Sequence, residues 1–175
     1  VLVRVVFVGW LVIAGLFVAR LGGDGQDDFF ITYRYARSVT QGDGLVFNPG
    51  ERHFGATEPG LALALAGAHV VTHIPIPWLG TLSTALGLLI CGLVLTAEGA
   101  ARDRLVAALL GSTLVLGSTW IWMCHGAAAP MVLACLLLAG RLSDSRPEVA
   151  GLAAGAAVWL RPDAALGAAV PGLNI

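Results

Sequence analysis

The chain contains no lysine, and only 12% of its 175 residues are charged, about half the share in ordinary soluble domains. Its ten positive charges are all arginine, and eleven acids bring the net charge to −1, which offers no basis for nucleic-acid binding. Hydrophobic residues reach 57%, more than a soluble domain of this length can bury, so lipid must be part of the solvent. Arginine without lysine, with abundant alanine, glycine and leucine, is typical of a GC-rich bacterial genome.

Cysteine is also scarce. Cys91, Cys124 and Cys135 form an odd, scattered set within apolar segments, which is not a disulfide framework, and no pair has the spacing of metal ligands. We expect them to be small buried hydrophobic residues. The first apolar run lacks a small-residue cleavage site after it and is too long for a usual signal peptide, so we predict a membrane span there.

Long apolar runs make up most of the sequence. They predict five membrane-spanning helices, the last two of them short, at about residues 5–21, 78–97, 105–123, 127–141 and 148–161. We therefore expect an all-α fold, a polytopic transmembrane helical bundle. Both ends of the chain lie in apolar stretches, and we expect it to be the N-terminal part of a longer protein.

The apolar run at 59–72 is of ambiguous length, since it suits either a short span or a half-inserted helix at the membrane surface. The arginines of the two short connections, near 102–104 and 141–146, fall on the cytoplasmic side only if this run does not cross. We favour that version. Residues 22–77 then form one long external loop, which contains six of the eleven acids and is expected to be functional.

Within this loop, residues 28–41 are predicted to form a helix along the membrane surface, with its aromatic side toward lipid. Its polar stripe follows helical spacing and consists of Arg34, Arg37, Ser38 and Gln41. Gly42 is expected to end the helix. Pro and Gly in the sequence 48–50 predict a type II turn.

Asp27 and Asp28 are the residues for which a structural and a functional role compete most directly. As structural residues, Asp27 caps the helix and Asp28 lies favourably near its positive end. As functional residues, the two carboxylates repel each other, so that one becomes a general base, or the pair holds a divalent cation such as Mg²⁺ or Mn²⁺. Residue chemistry alone leaves both interpretations open.

Three segments of the loop resemble the first periplasmic loop of GT-C-fold glycosyltransferases, in particular the members related to actinobacterial terminal arabinofuranosyltransferases. These segments are DDFFITYRYAR at 27–37, GDGLVFNPGER at 42–52 and GATEP at 55–59. The resemblance covers about 33 residues directly, and the hydropathy of the rest is compatible with it. It implies a GT-C-like membrane bundle and an inverting enzyme. Such an enzyme passes a sugar from a polyprenyl-phosphate donor to a cell-envelope glycan, lipid or protein acceptor on the external face of the bacterial plasma membrane.

The resemblance also implies residue roles. The essential loop aspartate corresponds to Asp27 or Asp28, acting as base on the acceptor or positioning a metal. Arginine is the natural partner of phosphate, and the external candidates are Arg34, Arg52 and Arg161, each of which is alternatively a snorkelling arginine at the interface. Two further residues, His53 and Glu58, are expected to face the same site, although a lone loop histidine is more often a surface residue.

Two later segments extend the comparison. WLRPD at 159–163 resembles a family run at the outer end of a helix, and residues 118–133 resemble a second external region. In that region Ala128 stands where the family usually has an acid, and His125 is a candidate to replace it. The missing acid motivates an alternative, an inactive paralogue. A transporter or flippase is a second alternative, disfavoured because the charges lie at helix ends instead of mid-span.

Overall fold

A computed structural model describes residues 27–51, 55–96 and 126–169, together with Gly9 and Val12. Of these residues 78% are helical and none forms a strand, so the predicted all-α class is confirmed. Apart from Gly9 and Val12, the predicted spans at 5–21 and 105–123 lie outside the described residues. So do Arg52, His53 and His125.

Five main helices follow one another along the described chain. They are α1 (Asp27–Gln41), α2 (Pro59–Thr72), α3 (Ile76–Thr96), α4 (Ala129–Leu142) and α5 (Pro147–Leu160), followed by a 3-10 turn (Pro162–Ala164) and a short α6 (Ala165–Ala169). Each of α2, α4 and α5 has a proline at its first or second position, where its missing N–H costs no hydrogen bond.

Helix α1 packs on α2 and α3. The N–H of Gly42 donates to Val39 and that of Asp43 to Ser38, which is a Schellman ending, and Gly42 has the left-handed backbone (φ 85°) that it needs. Ser38, predicted on the polar stripe, is buried, whereas Arg34 and Arg37 are exposed. The predicted lipid-facing side is also only partly exposed, because α2 and α3 bury two of its tyrosines.

Helices α3 and α4 run side by side in the same direction. Thr84 contacts Gly126, Gly87 touches the backbone of Pro130, and farther along both helices Arg141 donates to the carbonyl of Val94. Helix α4 therefore starts level with the middle of α3, about 14 Å along the axis before the end of α3.

Helices α4 and α5 form an antiparallel hairpin. The end of α5 meets the beginning of α2, where a side chain on Gly60 would collide with the backbone of Trp159. Helix α2 leaves this point and joins the start of α3, eight residues before the level of Thr84. It packs on α1, α3 and the end of α5, and it does not lie alongside α4.

One helix among the described residues, over Ile76–Leu95, is long and apolar enough to cross a membrane. Helices α2, α4 and α5 have 14 residues each and are about 21 Å long. Apolar side chains remain outside the packed core on several helices: Leu82, Leu86 and Leu93 of α3 and Leu152 and Trp159 of α5 are all at least 40% exposed.

The parallel contact of α3 and α4 leads to a stability prediction. A Cβ on Gly87 would lie 2.6 Å from the carbonyl carbon of Pro130, whereas one on Gly151 would meet nothing within 4 Å. We expect Gly87→Ala to lower the free energy of unfolding by about 1–3 kcal/mol through overpacking. The matched control Gly151→Ala should raise it by about 0.5–1 kcal/mol through helix propensity. Thermal unfolding of the purified variants in detergent is the measurement, and equal midpoints would contradict the assigned helix contact.

Candidate functional site

An open cleft of about 990 Å³ lies between α1, the end of α2 and the start of α3. One face of α1 forms its longest wall, because residues 27, 30, 34, 37 and 41 recur every three or four positions. Phe47 of the following loop, with Ile76 and Pro77 of α3, makes other parts of the lining apolar. The cleft is of the size that holds small-molecule ligands.

The two candidate catalytic aspartates differ in position. Helix α1 begins at Asp27, so both carboxylates lie in its first turn, where the positive end of the helix stabilises them, and both are exposed. Asp27 lines the cleft, and Asp28 does not. The structure therefore distinguishes the two aspartates, which the sequence alone left as equal candidates for the catalytic residue.

Arg34 lines the cleft but is already engaged by the loop that follows α1. Its Nε donates to the carbonyl of Phe47 at 2.8 Å and its Nη2 to Oδ1 of Asn48 at 2.9 Å. The guanidinium also lies 4.8 Å from the centre of the Phe47 ring, in a cation–π contact. Asn48 in turn donates to Glu51, and the N–H of Glu51 closes the predicted turn by donating to the carbonyl of Asn48. Arg34 thus holds the 44–51 loop against α1.

Two further cleft residues were not among the predicted site residues. Arg37 lies one turn after Arg34, and its side chain makes no hydrogen bond or ion pair with any described residue. His69 enters from α2, and its Nδ1 lies 2.7 Å from the carbonyl of Ile74, so this nitrogen carries the proton and donates it. The helical spacing of Arg34 and Arg37 was a usable signal for Arg37, whereas nothing local in the sequence marks His69.

On the inner wall of the cleft, Tyr33 is 5% exposed, and its hydroxyl fits against two glycines. A side chain on either Gly80 or Gly126 would collide with this hydroxyl, and Gly126 also has a left-handed backbone (φ 87°). Burial, with a smaller contribution from the charge of Glu58, raises the pKa of Tyr33 to about 12. Tyr33 therefore keeps its proton at neutral pH and is not a base there.

Glu58 and Arg161, both predicted substrate-binding residues, are brought together, but away from the cleft lining. Glu58 precedes Pro59 at the start of α2 and is 4% exposed. Its Oε1 accepts the N–H of Ala128 at 3.1 Å and lies 3.5 Å from Nη1 of Arg161. One carboxylate thus joins the beginnings of α2 and α4 to the end of α5.

Arg161 is shared between two acids. Its Nε lies 2.8 and 2.9 Å from the two carboxylate oxygens of Asp163, in addition to the longer contact with Glu58. The Arg161 side chain is 38% exposed and that of Asp163 63%, so solvent screens this pair considerably. Pro162, which follows Arg161, ends α5 here and holds the backbone of Arg161 extended.

The other carboxylate oxygen of Glu58, Oε2, is buried without a hydrogen-bond partner. Burial raises the pKa of Glu58, and the Ala128 N–H, the Arg161 charge and the nearby Thr32 hydroxyl offset part of that rise. The charge of Asp163 raises the pKa slightly further. A protonated carboxyl would remove the buried charge, which is why burial moves the pKa above its ordinary value.

The position of Glu58 also bears on residue 128, where the resemblance led us to expect an acid and the chain has Ala128. Although residue 128 has no carboxylate of its own, the carboxylate of Glu58 reaches its backbone N–H from 70 residues earlier in the chain. Ala128 precedes α4 and its side chain offers no cap, so Glu58 supplies the negative group that favours a helix N-terminus.

Within residues 27–51, 55–96 and 126–169, no three His, Cys, Asp or Glu side chains group as a metal site. The predicted metal ligands Asp27 and Asp28 are two adjacent carboxylates. Such a pair suits Mg²⁺, which often takes one or two carboxylates and completes its shell with water and substrate phosphate. Comparisons with family models, curated proteins and solved structures found no match to this chain.

The Glu58 contacts predict a stability difference between two substitutions. Glu58→Ala leaves the buried Ala128 N–H without its acceptor and should cost about 1–3 kcal/mol of unfolding free energy. Glu58→Gln keeps an acceptor at Oε1 and should lose much less. Thermal unfolding at neutral pH measures both, and a Gln variant as unstable as the Ala variant would contradict the assigned hydrogen bond.

The raised pKa of Glu58 predicts a pH dependence. Between its usual value, about 4.3, and its raised value, the folded state binds more protons than the unfolded state, so stability falls as pH rises through that window. Glu58→Gln should remove this part of the slope. Unfolding midpoints of wild type and variant, measured from pH 4 upward, should therefore diverge in favour of the variant, and parallel curves would contradict the pKa shift.

Proposed function

We propose that the chain belongs to a membrane glycosyltransferase of the inverting GT-C type. It transfers a sugar from a polyprenyl-phosphate donor to a cell-envelope acceptor on the external face of the bacterial plasma membrane. The observation that carries this proposal is the cleft beside α1, where a carboxylate, two guanidinium groups and apolar side chains share one lining. These groups suit a hydroxyl, a phosphate and a prenyl chain, respectively. The resemblance of residues 27–59 to the first loop of such enzymes supports the same function.

In this proposal Asp27 is the catalytic base. Its carboxylate accepts the proton of the acceptor hydroxyl, the acceptor oxygen forms a bond to the anomeric carbon of the sugar, and the bond from that carbon to the phosphate oxygen breaks. The electron pair of the broken bond stays on the polyprenyl phosphate. Asp28, next in the chain but outside the cleft lining, keeps its favourable position near the positive end of α1.

The arrangement of helices supports a polytopic topology with the cleft outside. Helices α3 and α4 are parallel neighbours, which fits a proposed span at 105–123 that returns between them. Helix α2 packs on the first half of α3, which fits a short helix that does not cross the membrane completely. The exposed leucines of α3 fit contact with lipid or with further spans.

Substituting each aspartate separately tests the proposed base. Asp27→Asn should lower transfer of radiolabelled sugar in membranes by about 10²–10⁴-fold, the usual contribution of a general base. The neighbouring control Asp28→Asn should keep most of the activity, because its carboxylate does not line the cleft. Full activity in the Asp27 variant, with normal protein levels, would overturn the assignment of the base. Wild-type membranes that transfer no sugar would overturn the enzyme and favour an inactive paralogue or a transporter.

Two exposed positions test the topology. Asp43 follows α1, and Asp144 lies in the α4–α5 turn. In intact spheroplasts, a membrane-impermeant maleimide should label Asp43→Cys, and it should label Asp144→Cys only after the membrane is opened, with wild type giving the background from native cysteines. Labelling of both positions from the same side would rule out the proposed arrangement.

A further inference from the structure

We infer that Arg37, and not Arg34 or Arg161, is the residue that binds the phosphate of the donor in the α1 cleft. This inference rests on the proposed function, because it assigns a residue of this chain to the lipid-phosphate part of the substrate. The sequence offered three arginines for this role, and two of them, Arg34 and Arg161, lie within the described residues.

The other two described candidates are committed elsewhere. Arg34 donates to Phe47 and Asn48 and stacks on the Phe47 ring, so moving it onto a ligand would release the 44–51 loop. Arg161 is paired with Asp163 and Glu58 and does not line the cleft. Recruiting either residue would break existing contacts that stabilise the fold.

Arg37 has the opposite properties. It lies on the cleft face of α1, is exposed, and forms no hydrogen bond or ion pair with the described residues. All five guanidinium N–H donors therefore remain for a ligand, and a planar guanidinium can hold two phosphate oxygens at once. Among the described cleft residues the fixed charges are those of Asp27, Arg34 and Arg37, which leaves one net positive charge facing an incoming anion.

The spacing along α1 fits the reaction. Asp27 and Arg37 are ten residues apart, about 15 Å along the helix axis. Helical side chains lean toward the N-terminus, so the long Arg37 side chain leans toward Asp27 and shortens that gap. A sugar joined to its phosphate can then lie between them, with the acceptor hydroxyl at Asp27 and the leaving oxygen toward Arg37.

This placement gives Arg37 a role in the chemistry. The donor phosphate is a diester with one negative charge, and the departing polyprenyl phosphate is a monoester that gains negative charge as the bond to the sugar breaks. A guanidinium fixed beside that oxygen stabilises the charge where it develops. The Nδ1 of His69 donates to the carbonyl of Ile74. Its other ring nitrogen, Nε2, remains for a second polar contact in the same cleft.

Binding measurements on the purified protein in nanodiscs test the inference. The probes are a polyprenyl monophosphate, the uncharged polyprenol of equal length, phosphatidylglycerol and inorganic phosphate. We expect wild type to prefer the polyprenyl phosphate to the polyprenol by about tenfold or more, and Arg37→Gln to abolish that preference. Arg37→Lys, which keeps the charge, should retain part of it. Arg146→Gln, an exposed arginine before α5, is the matched control and should behave as wild type.

The outcomes separate the two proposals. A wild type without preference for the phosphate overturns the proposed donor and with it the function. A preference that survives in a folded Arg37→Gln variant overturns the role of Arg37 and leaves the function standing. Equal or tighter binding of phosphatidylglycerol or inorganic phosphate overturns the polyprenyl assignment and makes the cleft a general phosphate site.

Discussion

A carboxylate buried where three helix ends meet is the interaction on which the described structure depends. Glu58 accepts the N–H of Ala128 and lies beside Arg161, and these contacts fix the starts of α2 and α4 against the end of α5. A buried acid with one oxygen unpaired is expensive, and the raised pKa is the sign of that cost. The arrangement persists because the same group caps a helix that has no capping side chain of its own.

The cleft depends indirectly on these contacts of Glu58. Helix α1 lies on α2 and α3, and its inner face, with Tyr33 at the centre, covers the region around Glu58. Tyr33 fits only because Gly80 and Gly126 leave room for its hydroxyl. The inner residues thus orient α1 so that Asp27, Arg34 and Arg37 face the opposite way, into the cleft. Because α1 buries one side against its neighbours, the charged side chains on its other side are held facing the cleft.

Local signals in the sequence predicted the all-α class, because hydrophobic run length and a helix-ending residue such as Gly42 each act within a few residues. The burial of Ser38 and the tyrosines could not be predicted this way, since it results from packing with α2 and α3. The contact of Glu58 with Ala128 joins residues 70 positions apart, and no spacing rule reaches that far. For the same reason Arg34 looked free in the sequence, although a loop 13 residues later occupies it.

The contacts of Glu58 also constrain the order in which the protein assembles during synthesis. Its partners lie 70 and 103 residues after it, so a ribosome must synthesise α4 and then all of α5 before the carboxylate has both. Until Arg161 has been made, the buried carboxylate lacks its ion-pair partner. Assembly of the Glu58 contacts is therefore a late event in synthesis, and a chain stopped before Arg161 would carry every cleft residue yet lack the last of these contacts.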